Sequence, residues 1–329
     1  MTAHADNQLS ALELQTLARP PRSLWRDAWH RLLRNRAAVI GGLVILLFAL
    51  TAILAPVIAP HNPLQINSGK DYLPPAWAAT SQVGKPGETA FLLGTDNLGR
   101  DVLSRVIYGA RVSMVVGLVP VTVILILGIT IGLFAGYRGG RVDNLLMRFA
   151  DIIYAFPSLL FFIIVMTALR DTKIGQFLNG LLLLFLALSI VSWVGLARLV
   201  RGQVLSLKEK EFVEAARMIG APSARIMLRH LLPNSLGPII VSAAFAVPNM
   251  IITEATLGYL GIGLRPATDP KDIFITSWGA LLLDGQVAIN AQPWLLLVPA
   301  ICVAAVVLAF NYVGDGLRDA LDPRMAGTE

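Results

Sequence analysis

The sequence predicts an all-α integral membrane protein with six transmembrane helices and both termini in the cytoplasm. Hydrophobic residues make up 55% of the chain and charged residues only 15%, whereas about a quarter of the residues in a soluble domain are charged. Six uncharged runs match the roughly 20 residues that cross a bilayer. In this orientation the cytoplasmic segments hold 18 Lys and Arg residues and the outer segments hold 9, as the positive-inside rule requires.

The six runs predict the transmembrane helices in chain order. They cover residues 37–60, 112–137, 152–169, 174–197, 231–253 and 285–314. The third run is the shortest and contains Pro157, and the fifth contains Pro238 and Pro248. Membrane helices tolerate Pro where neighbouring groups satisfy the freed carbonyls. The sequence therefore predicts one six-span domain over residues 37–314, between cytoplasmic tails at 1–36 and 315–329.

The N-terminal tail is predicted to be amphipathic. Trp25, Trp29, Arg31 and Arg34 indicate a helix on the inner leaflet, with the Trp rings at the depth of the headgroups. The long polar and basic stretch before the first apolar run is unlike the short basic segment of a signal peptide, so that run is predicted to be an uncleaved anchor.

Composition and motifs exclude several functions. The net charge of +6 comes from basic residues that bracket apolar runs, which does not indicate nucleic-acid binding. Cys302 is the single cysteine, so neither an intrachain disulfide nor a thiolate metal site is expected. The His residues are scattered, and Asp315 stands in Val-Gly-Asp-Gly, so neither protease motif of membrane enzymes is present. No catalytic or metal-binding residue is predicted.

The sequence also argues against ATP hydrolysis by this chain. The Gly-Lys pairs at Gly69 and Gly84 lack the upstream Gly and the following Ser or Thr of a phosphate-binding loop, so this chain is not expected to hydrolyse ATP. A self-sufficient channel or secondary transporter remains as an alternative. The absence of ionisable residues inside the six runs disfavours it, because such proteins commonly place them near the midplane.

Two predicted outer loops are long, residues 61–111 and 254–284. The first begins with a Pro-rich stretch, and Thr95 or Asp96 is expected to cap a short helix that follows. The second contains an apolar run at 273–283 that is too short to span, so it is expected to pack on the outer face or to re-enter. Glu254 and Asp284 flank this loop as boundary charges or as contacts for a peptide amino terminus.

The loop at 205–233, between the fourth and fifth runs, has an ordered pattern. Its apolar residues recur at helical spacing, and Gly220 suits the left-handed position that ends a helix. Pro222 suits the first turn of a second short helix. Two short helices meeting at Ala221 predict a stiff projection that contacts another protein; the alternative is a solvated basic loop. The residues of the predicted apolar face are Phe212, Ala215, Ala216 and Ile219.

These residues carry a resemblance to a known family. Glu214-Ala215-Ala216, then Gly220, then Leu232-Pro233, resembles the EAA loop of bacterial ABC-importer permeases. His230 departs from the pattern, which usually has an aliphatic residue there. Residues 94–105 and 311–323 are similar to the dipeptide/oligopeptide subfamily, and specifically to its C-type subunit. The similarity extends over about residues 25–324.

The resemblance implies a type I ABC-importer permease in the bacterial cytoplasmic (inner) membrane, surrounded by lipid. Such a subunit pairs with a homologous B-type permease, two ATP-binding subunits and an extracytoplasmic substrate-binding protein. ATP and Mg are bound by the ATP-binding subunits, and no cofactor is expected in this chain. The implied cargo is a dipeptide or oligopeptide; glutathione, nickel complexes and opines are the alternatives that the subfamily allows.

The resemblance also implies two sets of site residues. An outer set, Asp96, Arg100 and Asp101, contacts the binding protein or gates the outer mouth; a locally salt-bridged helix cap is the alternative. The second set contacts the ATPases and transmits the motion of the ATPases to the transmembrane helices. Its members are Glu214, Ala215, Ala216, Gly220, Pro222, Leu232 and Pro233.

Overall fold

The computed structural model describes residues 24–80, 84–269 and 271–322, so parts of both predicted tails lie outside it. Within those ranges the protein is helical and has no β-strand, only an isolated bridge between Thr95 and Asp101. The helices are α1 (Leu24–Arg34), α2 (Arg36–Ile58), α3 (Val102–Arg138), α4 (Gly140–Tyr154), α5 (Ser158–Ala168), α6 (Lys173–Gln176), α7 (Leu181–Leu207), α8 (Glu211–Met218), α9 (Ser223–Ile226), α10 (Leu232–Tyr259), α11 (Trp278–Val287) and α12 (Trp294–Leu321).

Five helical segments are long and apolar enough to span a membrane, and a bent pair brings the number to six. The five are Arg36–Ile58, Val102–Arg138, Lys173–Leu207, Ser223–Tyr259 and Trp294–Leu321. The pair is α4 with α5, which meet at 76°. Pro157 lies at this bend, directly before α5, where its ring disfavours continuation of the preceding helix. The structure thus agrees with the predicted all-α membrane fold.

Counting the bent pair as one span places the elements on two faces. One face, called here the termini face, carries α1, the end of α12 and the segment from α8 to α9. The other, called here the loop face, carries residues 59–101 and α11. The exposed Trp25 and Trp29 of α1 lie on the termini face, next to the start of α2.

The centre of the fold is the contact between α3 and α7. Gly128, Gly132 and Gly136 recur every four residues on α3 and form a stripe against α7. A Cβ at Gly132 would lie 2.6 Å from the carbonyl oxygen of Ala197. Small residues at this spacing allow two membrane helices to approach closely. By contrast, only 17% of the apolar window of α2 is buried, which places α2 at the periphery.

Helix α3 begins ten residues before the uncharged run that predicted it. Its N-cap is Asp101, whose carboxylate accepts a hydrogen bond from the Ser104 amide at 2.8 Å. The predicted cap at Thr95 or Asp96 and the predicted separate short helix are therefore wrong. The helix continues through Arg105 and Arg111 because both guanidinium groups have partners; Arg111 Nε donates to the Ala52 carbonyl at 3.0 Å.

The apolar run at 273–283 packs on the loop face and does not span. Helix α11 starts at Trp278, which is fully buried and donates from Nε1 to the Val106 carbonyl at 3.0 Å. A Cβ at Gly258 would lie 2.5 Å from the backbone of Gly279, so α10 and α11 meet through two glycines. Glu254, predicted as a boundary charge, is instead fully buried beside this contact.

Candidate functional site

Helix α8 projects from the termini face between α7 and α9. Val213 and Ala216 are 0% and 4% exposed and hold α8 to the rest of the protein. Met218 and Ile219 are 88% and 85% exposed. The exposed side of α8 therefore carries two apolar side chains beside a buried anchor, and its contact with another protein stays a prediction.

The four residues of the predicted apolar face of α8 do not share one environment. Ala215 and Ile219 face outward and Phe212 is 40% exposed, whereas Ala216, predicted to contact the ATPases, is buried against the rest of the protein. The rotation of the helix is set by Val213, which the predicted face omitted. Glu214 is exposed on the first turn, where its charge favours the helix N-terminus.

Gly220 ends α8 in the conformation that the sequence predicts. Its φ is +76°, and its amide donates to the Arg217 carbonyl at 2.9 Å. The Ala221 amide donates to the Ala216 carbonyl at 3.0 Å. These two hydrogen bonds form a Schellman motif, which needs a left-handed residue at the position of Gly220. No atom lies within 4 Å of a Cβ built there, so the requirement is one of backbone conformation alone.

The second helix of the loop does not end as predicted. Pro222 lies directly before α9, and α9 continues through a π turn, Met227–Leu231, into α10. Leu232 and Pro233 therefore lie in the first turn of a membrane-length helix. The ring of Pro233 would clash with the carbonyl of Arg229, four residues earlier, in a regular α-helix. The wider π turn, which contains Arg229, lies at this position. Residues 223–259 form one continuous rod, and the prediction of a separate short helix is wrong.

On the loop face, Asp96, Arg100 and Asp101 belong to an internal network. The Asp96 carboxylate, 1% exposed, accepts from Arg100 Nε at 2.7 Å and from Arg105 Nη1 at 2.6 Å. Arg105 Nη1 also donates to Asp284 Oδ2 at 2.9 Å, which ties α3 to α11. Asp101 is equally buried. This geometry favours the salt-bridged cap for both aspartates, and a contact with a binding protein stays a prediction.

Comparison with known proteins identifies the family. Residues 128–327 match the model of the binding-protein-dependent transport system inner membrane component family, and residues 23–75 match the N-terminal TM domain of oligopeptide transport permease C. The chain belongs to this permease family. It is a multi-pass protein of the inner membrane and one subunit of a transport system.

Relatives of the permease align over nearly its whole length. The oligopeptide transport system permease protein OppC of Escherichia coli (strain K12) is 42% identical over 92% of this chain and 92% of that protein. OppC of Bacillus subtilis is 38% identical over 96% of this chain and 95% of its own length. The dipeptide transport system permease protein DppC of Bacillus subtilis is 36% identical, covering 97% and 92%.

Two ion pairs fasten α4 of the permease to α7 close to α8. Asp143 accepts two hydrogen bonds from Arg201, and Asp151 accepts one from Arg198 at 2.6 Å. The Arg198 guanidinium also lies 4.7 Å from the centre of the Tyr154 ring, a cation–π contact. Sequence analysis missed these pairs because the partners are about fifty residues apart. The only sequence feature that indicated them was the presence of opposite charges at the ends of adjacent predicted spans.

A cavity of about 1110 Å³ opens within the permease between α3, α7 and α10. Residues of helix α1 and of the end of α12 line its end on the termini face, called here the mouth. Sequence analysis did not predict residues lining a path, because uncharged helices carry no signal for which face meets water. Among residues 24–80, 84–269 and 271–322, no cluster of three or more His, Cys, Asp or Glu side chains has the arrangement of a metal site.

Proposed function

We propose that this permease is a subunit of an ATP-driven importer that takes dipeptides or oligopeptides across the inner membrane. The observation that carries the proposal is the projecting helix α8, with Met218 and Ile219 exposed beside the buried anchor Val213. The relatives named as oligopeptide and dipeptide transport permeases support the cargo class. ATP hydrolysis belongs to partner subunits, which also bind ATP and Mg; this chain supplies no catalytic group.

The residues of the EAA loop divide the work of coupling. The surface that meets an ATP-binding subunit is formed by the exposed residues Glu214, Ala215, Met218 and Ile219. Ala216 anchors that surface, and Gly220 and Pro222 set the angle between α8 and α9. Leu232 and Pro233 continue the rod into the membrane, so they transmit displacement and do not touch the ATPase. A stiff connection is required because a flexible loop would dissipate the motion.

The termini face is cytoplasmic in this proposal. The excess of Lys and Arg in the segments on that face supports the assignment. The complete importer then contains a homologous B-type permease, two ATP-binding subunits on the termini face and a substrate-binding protein on the loop face. Among Asp96, Arg100 and Asp101, Arg100 is the best placed to meet the binding protein, because its side chain is 16% exposed and both aspartates are buried.

The decisive experiment is co-purification of the tagged chain from its own host membrane. The wild-type chain is expected to retain a second permease and ATP-binding chains in mild detergent. Ile219→Asp should lose the ATP-binding chains and keep the second permease, because a charge replaces an exposed apolar contact. Ile273→Asp is the matched control, since Ile273 is 60% exposed on the loop face. Retention of the ATP-binding chains by both variants would contradict the proposed role of α8.

The cargo is tested in proteoliposomes that contain the complete importer and its binding protein. Uptake of radiolabelled dialanine that depends on ATP would support the peptide assignment. Uptake of glutathione, a nickel complex or an opine, without uptake of dialanine, would show that the importer carries that solute. Uptake that persists without ATP would favour a channel or a secondary transporter.

A further inference from the structure

The large cavity has a polar wall on α10. Asn234, Ser242 and Asn249 all line it. They are eight and seven residues apart, and at about 100° per residue they lie within an arc of roughly 80° on one side of the helix. At about 1.5 Å per residue the stripe is roughly 22 Å long. Polar side chains therefore follow the cavity for most of the depth of a membrane.

The facing wall on α7 repeats the pattern. Ser192 and Gln203 line the cavity and are eleven residues apart, which is about three turns, so they lie on one side of α7. Between them lies Gly195, where a Cβ would meet no atom within 4 Å. The cavity is therefore open beside Gly195, with Ser192 about one turn before it on α7 and Gln203 about two turns after it.

Charged groups are confined to the mouth of the cavity. Asp27 and Arg31 of α1 and Arg318 of α12 lie there, together with Asp322 just after α12. The remainder of the lining is apolar or uncharged and polar. A ligand that passes beyond the mouth meets no side chain that selects for a charge.

The polar side chains of the two walls offer free hydrogen-bonding groups. Within the part of the chain that the structure describes, the side chains of Gln203, Ser242 and Asn249 accept or donate no hydrogen bond. Asn234 Nδ2 donates to the His230 carbonyl at 2.6 Å, which leaves the side-chain oxygen of Asn234 available. Amide and hydroxyl groups both donate and accept. A peptide main chain presents the same two groups at every residue.

We propose that these five side chains form a site for the main chain of an extended peptide, which binds it without regard to its side chains. The inference rests on the proposed function and adds a length dependence to it. An extended chain covers about 3.3–3.6 Å per residue, so roughly six residues match the 22 Å stripe, whereas a dipeptide reaches about a third of it. Removal of the stripe therefore impairs passage of a hexapeptide more than passage of a dipeptide.

The test uses the complete importer in proteoliposomes, saturated with binding protein that carries dialanine or hexaalanine. The variant Gln203→Met/Ser242→Ala/Asn249→Leu removes three polar groups at similar volume. Hexaalanine turnover is expected to fall about tenfold or more, as the loss of several neutral hydrogen bonds implies, and dialanine turnover by less than about threefold. Asn144→Leu is the matched control, because Asn144 is exposed on α4 and lies outside the cavity lining.

A second comparison separates main-chain binding from a structural defect. Hexapeptides with one Lys or one Glu should lose turnover by the same factor as hexaalanine in the triple variant. Equal losses for the dipeptide and the hexapeptide, or losses that depend on peptide charge, would overturn the inference. So would a wild-type importer that carries dialanine and not hexaalanine. A wild-type importer that carries neither peptide would instead contradict the proposed function.

Discussion

Asp143 and Arg201 form a two-bond ion pair across α4 and α7, with Nε to Oδ1 at 2.5 Å and Nη2 to Oδ2 at 2.6 Å. The pair fastens the start of the bent α4–α5 span to the end of α7, the helix that leads into α8. A guanidinium matches a carboxylate with two parallel hydrogen bonds, which an ammonium cannot do. The end of α7 that leads into α8 is thus tied to α4.

Arg201→Lys should lower the apparent melting temperature of the purified importer. The change removes one of two charge-assisted hydrogen bonds, at a cost of about 1–2 kcal/mol. Arg198→Lys is the control, because Arg198 makes one bond to an Asp151 side chain that is 64% exposed. A larger decrease for Arg198→Lys than for Arg201→Lys would show that the two-bond geometry contributes little.

Arg105→Met should destabilise the loop face strongly. The substitution removes one of the two guanidinium partners of the buried Asp96 carboxylate and leaves Arg100, at a cost of about 1.5–3 kcal/mol for a hydrogen bond between charged groups. Lys70→Met, which breaks an ion pair with both side chains about 40% exposed, should cost no more than about 1 kcal/mol. Thermal unfolding in detergent measures both effects, and similar shifts for the two variants would contradict the role of Arg105.

Gly220→Ala should reduce transport and peptide-stimulated ATP hydrolysis, and Gly220→Val should reduce them further. Side chains at φ +76° cost about 1–2 kcal/mol, so the turn between α8 and α9 changes shape. Gly202→Ala is the control for the backbone conformation. A Cβ at Gly202 also meets no atom within 4 Å, but Gly202 has helical dihedral angles, so this change should leave transport unaffected. Normal coupling in the Gly220→Val importer would remove the requirement for a left-handed residue.

Gly132→Ala should lower the yield and stability of the permease. Its Cβ would lie 2.6 Å from the Ala197 carbonyl, so α3 and α7 must separate, and such overpacking costs about 1–3 kcal/mol. At Gly42 of α2 a Cβ meets no atom within 4 Å, and Gly42→Ala should be neutral or stabilising. Size-exclusion profiles and melting temperatures compare the two; an unaffected Gly132→Ala protein would refute close packing at the stripe.

The spans could be predicted from the sequence because a hydrocarbon core excludes charge. The same reasoning placed the start of α3 too late, since it treated Arg105 and Arg111 as loop residues. Their partners are distant in sequence: Arg105 meets Asp284, 179 residues away. Local patterns contain no information about such pairs. For the same reason the sequence did not predict that Glu254, at the end of an uncharged run, is buried.

The structure of the segment from α8 to α10 was predicted in part. Gly220 was identified because a helix-ending Gly has a local conformational signature. Val213, which packs against the protein, was left out of the predicted apolar face because four other apolar residues already fit one side of a helix. The continuity of α9 with α10 was missed because Pro233 indicates a helix start, and a π turn across five residues has no clear sequence signal.

The unbroken rod at residues 223–259 has one more consequence. Under the proposed function, the turn after the surface that meets an ATP-binding subunit leads into the helical segment that carries the polar wall of the cavity, with the π turn and no loop within that segment. A displacement at Pro222 would then travel along that segment to Asn234 and Asn249. Binding of the ATPases and movement of this wall would be a single event.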